Sequence, residues 1–211
     1  MDYHSIYRCR TPAFLRRLCD TPPLRRLADV GMNCGCEYTA FPRFASIGRY
    51  TRLEHSLGAA LIVWRFTRDE KQAAAALLHD IATPVFAHVV DFLRGDYLEQ
   101  TATECGTAEL IRTSAEIGEI LRELSLCAGD VEDYHRYPIA DNDSPRLSAD
   151  RLDYTCGNAV NFGLSTREEL GELLADLRVG ENEYGEAELV FHENIGEVFG
   201  EVASMIEAER K

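Results

Sequence analysis

The sequence predicts an all-α domain with one small β-hairpin near its C-terminus. Apolar residues recur at three- and four-residue spacing over most of the chain, as on the buried face of a helix. Serine-proline and threonine-proline pairs mark helix starts, and a turn at Tyr184-Gly185 separates two short strand patterns. With 211 residues, 45% of them hydrophobic and 27% charged, the chain suits one domain over residues 1–211.

The predicted elements follow in chain order. Short helices fill the first 30 residues, broken at Thr11-Pro12 and Pro22-Pro23, and residues 31–48 form a loop or a short hairpin. Helices are predicted at about 51–66, 70–80, 84–93, 104–125, 128–135, 144–160, 166–177 and 193–209, and the hairpin strands at 177–179 and 187–191.

The helix at 51–66 is apolar on two sides. One stripe runs through Leu53, Leu57 and Leu61, and a second stripe runs through Ala59 and Ile62 and includes His55. A helix that is apolar on two sides is buried, so His55 is expected to point inward. Thr83-Pro84 and Ser144-Pro145 each read as an N-cap followed by the first helical residue, and they set the starts of two later helices.

Composition and charge exclude several classes of protein. A net charge of −14 argues against a general nucleic-acid binder, whose affinity rests on neutralising phosphates. No stretch approaches the ~20 apolar residues of a membrane span, and the N-terminus lacks the regions of a secretory signal. Seven cysteines without paired CxxC spacing indicate reduced thiols and a cytoplasmic protein. The acidic C-terminal half is interpreted as a solvated face, or as a face opposing a second subunit of a homo-oligomer.

His79 and Asp80 carry most of the functional information. They end an alanine-rich helical run, and a histidine beside a carboxylate in an apolar setting is a metal-ligand pair. His55 and Asp150 are further candidate ligands at long range. Such a donor set suits one divalent ion among Mn²⁺, Fe²⁺, Ni²⁺, Zn²⁺ and Mg²⁺. The alternative is that these histidines and aspartates only stabilise a helical core.

The residues around these four candidates resemble a known family. The stretches 51–58 (TRLEHSLG), 77–81 (LLHDI) and 150–154 (DRLDY) are similar to the motifs of HD-domain metal-dependent phosphohydrolases, closest to the deoxynucleoside triphosphate triphosphohydrolase-like branch. The resemblance covers about residues 22–205 and implies an HD-domain helical bundle. It implies that His55, His79, Asp80 and Asp150 bind the metal, and that a metal-activated water hydrolyses a nucleotide or another small phosphate ester.

The resemblance also assigns residues around the metal. His88 and Asp91, one helical turn apart, match a general acid and the carboxylate that supports its proton transfer. Arg52 matches an arginine that contacts a substrate phosphate, with a structural ion pair as the alternative. Tyr154 matches a residue that lines the substrate pocket, with core packing as the alternative.

Three positions depart from the family pattern. Thr83 and Thr103 stand where the family commonly has histidines, and Asn158 stands where a sugar-reading aspartate is common. Each missing proton-transfer group is worth roughly 10²–10⁴ in rate. A second hypothesis is therefore a non-catalytic or weakly catalytic HD-domain module that binds a nucleotide and regulates.

Overall fold

The computed structural model describes residues 3–33, 35–42, 44–45, 47–86, 89, 106–192, 200–201 and 203–205. It confirms a helical bundle with a hairpin near the C-terminus. The α-helices are α1 Ala13–Cys19, α2 Pro22–Arg25, α3 Arg52–Thr67, α4 Glu70–Leu78, α5 Thr107–Thr113, α6 Ala115–Glu123, α7 Ala128–Val131, α8 Ala149–Asn161 and α9 Arg167–Leu173. Short 3-10 turns lie at Tyr3–Tyr7, Arg26–Asp29, Cys36–Tyr38, Tyr134–Arg136 and Leu174–Asp176.

Helix α3 lies at the centre and packs against α4 and α8. A capping box starts it: the Thr51 side chain accepts from the Glu54 N–H, and the Glu54 side chain accepts from the Thr51 N–H. The prediction that this helix is buried on two sides is confirmed, because Ala59 to Val63 and His55 are all buried.

Helix α4 ends where the functional motif begins. Asp69 caps its start, and Ala73 to Ala76 are fully buried, so their small side chains allow close packing against α3. The helix ends at Leu78, two residues before the predicted end, and His79 is its C-cap. The chain then passes through a turn that carries Asp80.

Several predicted helices needed correction. Those expected at 128–135 and 166–177 end as α-helices at Val131 and Leu173, and a 3-10 turn follows each. The helix expected at 104–125 is divided at Ser114, whose backbone is extended and whose hydroxyl accepts from the Ile117 N–H to cap α6. The helix expected to open at Ser144-Pro145 begins at Ala149 instead. Its cap is Ser148, whose hydroxyl accepts from the Arg151 N–H, while residues 144–146 lie in a turn.

The hairpin is confirmed as β1 Leu177–Glu181 and β2 Ala187–Phe191, an antiparallel pair in which Leu177 faces Phe191. Residues 31–48 contribute no strand within their described part; Gly31 forms one isolated bridge with Thr51. The helix start predicted at Thr83-Pro84 is wrong, because residues 84–86 are not helical; Val89 is helical, and the rest of 84–93 lies outside the described residues. The helix predicted at 193–209 also lies mostly outside them, although 200–201 and 203–205 are helical. Among the described residues, no helix has the length and hydrophobicity that crossing a bilayer requires.

Candidate metal centre

Four side chains from three separate segments converge near the N-terminal end of α3. His55 comes from the first turns of α3, His79 and Asp80 from the end of α4, and Asp150 from the first turn of α8. The His55 Nε2 atom lies 2.8 Å from Asp150 Oδ1 and 3.9 Å from Asp80 Oδ2. The His79 Nε2 atom lies 3.5 Å from each of the same two oxygens. Each imidazole therefore has its Nε2 atom near one oxygen of Asp80 and one oxygen of Asp150.

Each imidazole is oriented by its other nitrogen. His55 Nδ1 lies 2.9 Å from Asp153 Oδ2, and His79 Nδ1 lies 2.7 Å from the Ala76 carbonyl oxygen. Because an ionised carboxylate and a carbonyl oxygen only accept hydrogen bonds, both Nδ1 atoms carry the hydrogen. Both Nε2 atoms then present a lone pair to the centre whenever the ring is neutral, which is the arrangement of metal-ligating histidines.

Asp80 is held from two sides. The Arg52 guanidinium donates to Asp80 Oδ2 at 2.9 Å, and the Thr83 hydroxyl donates to Asp80 Oδ1 at 2.8 Å. Arg26 fixes the backbone of this turn by donating to the carbonyl oxygens of Ile81 and Thr83, both at 2.7 Å. The turn after α4 thus fixes the direction of the carboxylate.

Asp153 is enclosed by three tyrosines. The hydroxyl of Tyr7 donates to Asp153 Oδ1 and that of Tyr50 donates to Asp153 Oδ2, while the Tyr3 hydroxyl donates to the Asp153 carbonyl oxygen at 3.2 Å. Asp153 is fully buried, so these donors and His55 replace the water that its carboxylate loses on folding. Gly58 leaves room for it, because a Cβ there would lie 1.7 Å from Asp153 Oδ1.

The electrostatics of the cluster favour charged side chains. Burial lowers the pKa of His55, but its contacts with Asp150 and Asp153 outweigh burial and raise the pKa to about 10. Burial also lowers the pKa of His79, and the nearby Asp80 and Asp150 more than offset it, so the pKa rises. Burial raises the pKa of Asp80, but Arg52 and the two histidines lower it overall. Burial alone would raise the pKa of Asp150, but the same two histidines lower it overall.

The donor set fits a divalent metal ion. Donors bound at about 2.1 Å around one ion lie roughly 3 to 3.5 Å apart, and the four separations here run from 2.8 to 3.9 Å. Among the described residues, His55, His79 and Asp80 each offer one donor atom within 4.8 Å of the others, and Asp150 is not part of this group. The Asp150 side chain is 27% exposed, so the centre has one side open to solvent.

The structure gives the remaining candidates different surroundings. Arg52 is buried and paired with Asp80, which is the ion pair that the sequence left as the alternative; its contact with a phosphate stays a prediction. Tyr154 is half-buried on α8, and its place in a substrate pocket also stays a prediction. His88, Asp91 and Thr103 lie outside the described residues.

The sequence did not assign a role to the residues that orient His55. Asp153 lies one turn after Asp150 in the same motif, and this spacing was a usable signal. Tyr7 lies 146 residues before Asp153, and nothing in its own surroundings points to that contact. Asn158 is buried, and its Oδ1 has no hydrogen-bond partner within the part of the chain that the structure describes.

Comparison with known proteins supports the resemblance. No family model matches the chain. The metal-dependent phosphohydrolase cns2 of Cordyceps militaris is 34% identical over 130 residues, 62% of this chain and 37% of that protein. The uncharacterized protein YdhJ of Bacillus subtilis is 29% identical over 150 residues, 71% of this chain and 44% of that protein. The matches thus span less than half the length of these curated relatives.

A solved structure shares the fold. The crystal structure of a hypothetical protein from Aquifex aeolicus superposes with a TM-score of 0.62 at 26% identity, covering 95% of this chain and 55% of the other. The helical bundle, the convergence of the two histidines with Asp80, and the similarity to a metal-dependent phosphohydrolase agree with one another. The chain is thus similar, over 62% of its length, to a metal-dependent phosphohydrolase, and this similarity supports the resemblance to the HD-domain superfamily.

Proposed function

We propose that this chain hydrolyses a small phosphate ester, with a nucleotide as the substrate class, and holds one divalent metal ion with His55, His79, Asp80 and Asp150. The observation that carries the proposal is the pair of imidazoles whose Nδ1 atoms are committed to Asp153 and Ala76. Their Nε2 atoms face two carboxylates at metal-ligand spacing. When bound, such an ion polarises phosphorus and lowers the pKa of water.

The protein's own groups position the reactants. Asp80 is locked by Arg52 and Thr83, so it cannot turn away from the centre without breaking two hydrogen bonds. Arg52 places a guanidinium beside the ligands, and guanidinium groups match phosphate oxygens in geometry and charge. The open side at Asp150 admits the substrate. His88 with Asp91 remains the proposed proton donor to the leaving group, as the resemblance implies.

A nucleotide is the proposed substrate for two reasons. The motifs are most similar to those of the deoxynucleoside triphosphate triphosphohydrolase-like branch, and this branch is part of the proposal. In addition, the Tyr134 ring lies 4.8 Å from the His79 ring, so an aromatic side chain adjoins the metal centre. Aromatic faces beside a phosphate site favour ligands that carry a base.

The test is a substrate panel with metal-loaded protein. The chain is loaded with Mn²⁺, Fe²⁺ or Ni²⁺ and offered nucleotides and phosphomonoesters, and released phosphate, pyrophosphate and triphosphate are measured separately. We expect hydrolysis that is lost in Asp80→Asn and retained in Asp20→Asn, an exposed aspartate at the end of α1. No hydrolysis across the panel with any of the three metals would overturn the proposal.

Thr83 favours a second candidate, a metal-holding module that binds a nucleotide without turning it over. Where the family commonly has a histidine, Thr83 is fully buried and its hydroxyl is bonded to Asp80, so this position supplies no imidazole for proton transfer. Under this candidate, nucleotides raise the melting temperature of the metal-loaded protein and remain intact for hours. Nucleotide turnover that depends on Asp80 would exclude it.

A further inference from the structure

A cavity lies beside Tyr50. It has a volume of about 420 Å³ and lies between the C-terminal end of α8 and the segment that leads into α3. None of the four candidate metal ligands lines it. Its walls include Tyr3, Arg49, Tyr50, Asn161 and Arg167. Binding pockets for small molecules have volumes of about 300–1,000 Å³, so this cavity is large enough for one.

The polar groups of the cavity suit an anion. Two guanidinium groups, Arg49 and Arg167, line it, and the single carboxylate in its described wall, Glu54, is committed to the cap of α3. One Arg49 nitrogen donates to the Ala28 carbonyl oxygen at 2.7 Å and to Asp29 Oδ1 at 3.1 Å, and Asp29 itself does not line the cavity. The Asn161 Nδ2 atom is buried and has no hydrogen-bond partner among the described residues.

The cavity is connected to the metal centre by hydrogen bonds. Tyr50 lines the cavity with its ring and donates its hydroxyl to Asp153 Oδ2, the oxygen that also accepts from His55 Nδ1. Tyr50 also packs tightly on Gly157, where a Cβ would lie 2.2 Å from the ring carbon Cζ. A displacement of the Tyr50 ring therefore changes the hydrogen bonding of a metal ligand.

We propose that this cavity binds a small phosphorylated molecule, and that its occupation changes the metal affinity of the centre through Tyr50 and Asp153. The guanidinium groups of the two arginines match phosphate oxygens in geometry and charge. The coupling acts on His55 because the orientation of a metal-ligating histidine depends on the acceptor at its other nitrogen. The site lies apart from the metal ligands, so it stands whether or not the centre hydrolyses phosphate esters.

Binding is tested with inorganic pyrophosphate as the probe. Chelator-treated and metal-loaded full chains are titrated by calorimetry, and we expect a site that survives the chelator. Arg167→Gln should lose this site, as should Arg49→Gln, whereas Arg122→Gln should retain it, because Arg122 is exposed on α6 and does not line the cavity. Absence of a chelator-resistant site, or its retention in both cavity variants, would overturn the proposal. Equal binding of malonate would refute the phosphate chemistry.

Transmission is tested by measuring metal affinity with and without pyrophosphate. Pyrophosphate also meets the metal directly, so the effect in Arg167→Gln is subtracted. We expect the remaining change in affinity to be about fivefold or more, within the usual range of coupling between sites. Tyr50→Phe keeps the ring but removes the hydroxyl, so it should bind pyrophosphate and lose the coupling. Unchanged coupling in Tyr50→Phe would refute the route through Asp153.

Discussion

At the residue scale, the two nitrogens of His55 have separate tasks. Nδ1 is held by Asp153, and Nε2 faces Asp80 and Asp150. The four candidate ligands could be selected from the sequence, because each lies in a motif with characteristic neighbours. The support around Asp153 could not, because Tyr7 and Tyr50 reach it only after the chain has folded.

The first prediction concerns this support. Asp153→Asn replaces an acceptor with a group that can present its amide to Nδ1, so His55 loses its fixed orientation and basicity. We expect the metal affinity to fall about 10- to 100-fold, as is usual for such outer partners. Asp141→Asn, in a half-buried pair with His135 at 2.7 Å, is the matched control. Equal metal affinities of the two variants in competition with a chelator would contradict this role.

The second prediction concerns pH. Metal and protons compete for the histidine nitrogens, so the metal affinity should rise with pH from 7 to 9 and approach a limit near the His55 pKa of about 10. The stability of the metal-free chain should change in the opposite direction and fall as the pH rises. Because folding raises this pKa above its ordinary value near 6.5, protonated His55 stabilises the fold fully below about pH 6.5. That contribution is lost as the pH rises through about 10.

Chelator competition at several pH values and urea unfolding of the metal-free chain check the two halves of this prediction. His55→Gln should flatten both profiles, although His79 continues to contribute. Metal affinity that falls between pH 7 and 9 would contradict the competition between metal and protons. A metal-free chain whose stability rises from pH 8 to 10 through His55 would contradict the raised pKa of His55.

At the element scale, two glycines allow α8 to lie close to α3 and to the segment that precedes α3. Gly58 on α3 lies against the Asp153 carboxylate, and Gly157 on α8 lies against the Tyr50 ring. The start of α8 could not be predicted correctly from the sequence. Ser144-Pro145 and Ser148 both carry cap chemistry, and only the folded chain shows that Ser148 accepts from the Arg151 N–H.

The third prediction compares two helical glycines. Gly58→Ala places a methyl group 1.7 Å from a buried carboxylate oxygen, and we expect it to destabilise the fold by about 1–3 kcal/mol or more. Gly118→Ala in α6 meets nothing within 4 Å and should stabilise by roughly 0.5–1 kcal/mol, because alanine favours the helix. Urea unfolding measures both variants. A neutral Gly58→Ala would show that Asp153 can move aside.

At the scale of the whole molecule, the metal centre joins three segments that are distant in the sequence. The order of the motifs in the chain allowed the sequence to predict that α3, the end of α4 and the start of α8 meet. The course of the chain between 87 and 105 lies outside the described residues, apart from Val89, so the predictions for His88 and Asp91 keep their standing as predictions.

The fourth prediction follows from this joining. A metal at 100 times its dissociation constant stabilises the folded state by about 2.7 kcal/mol, which for a chain of this size raises the melting temperature by about 5–10 °C. Asp150→Asn removes a negatively charged ligand and should lose most of this rise, whereas Asp143→Asn, in the exposed turn before α8, should keep it. An undiminished rise in Asp150→Asn would exclude Asp150 as a ligand. Differential scanning calorimetry is the measurement.

The placement of Arg52 among the three aspartates sets the charge that the centre can accept. Asp80, Asp150 and Asp153 with one guanidinium carry a formal charge of −2, which two imidazolium protons or one divalent ion would neutralise. Uptake of the metal is then an electroneutral exchange that releases up to two protons, and the measured enthalpy should vary with the ionisation enthalpy of the buffer. A trivalent ion would leave a positive charge in a buried place, so the centre should favour the ferrous over the ferric state.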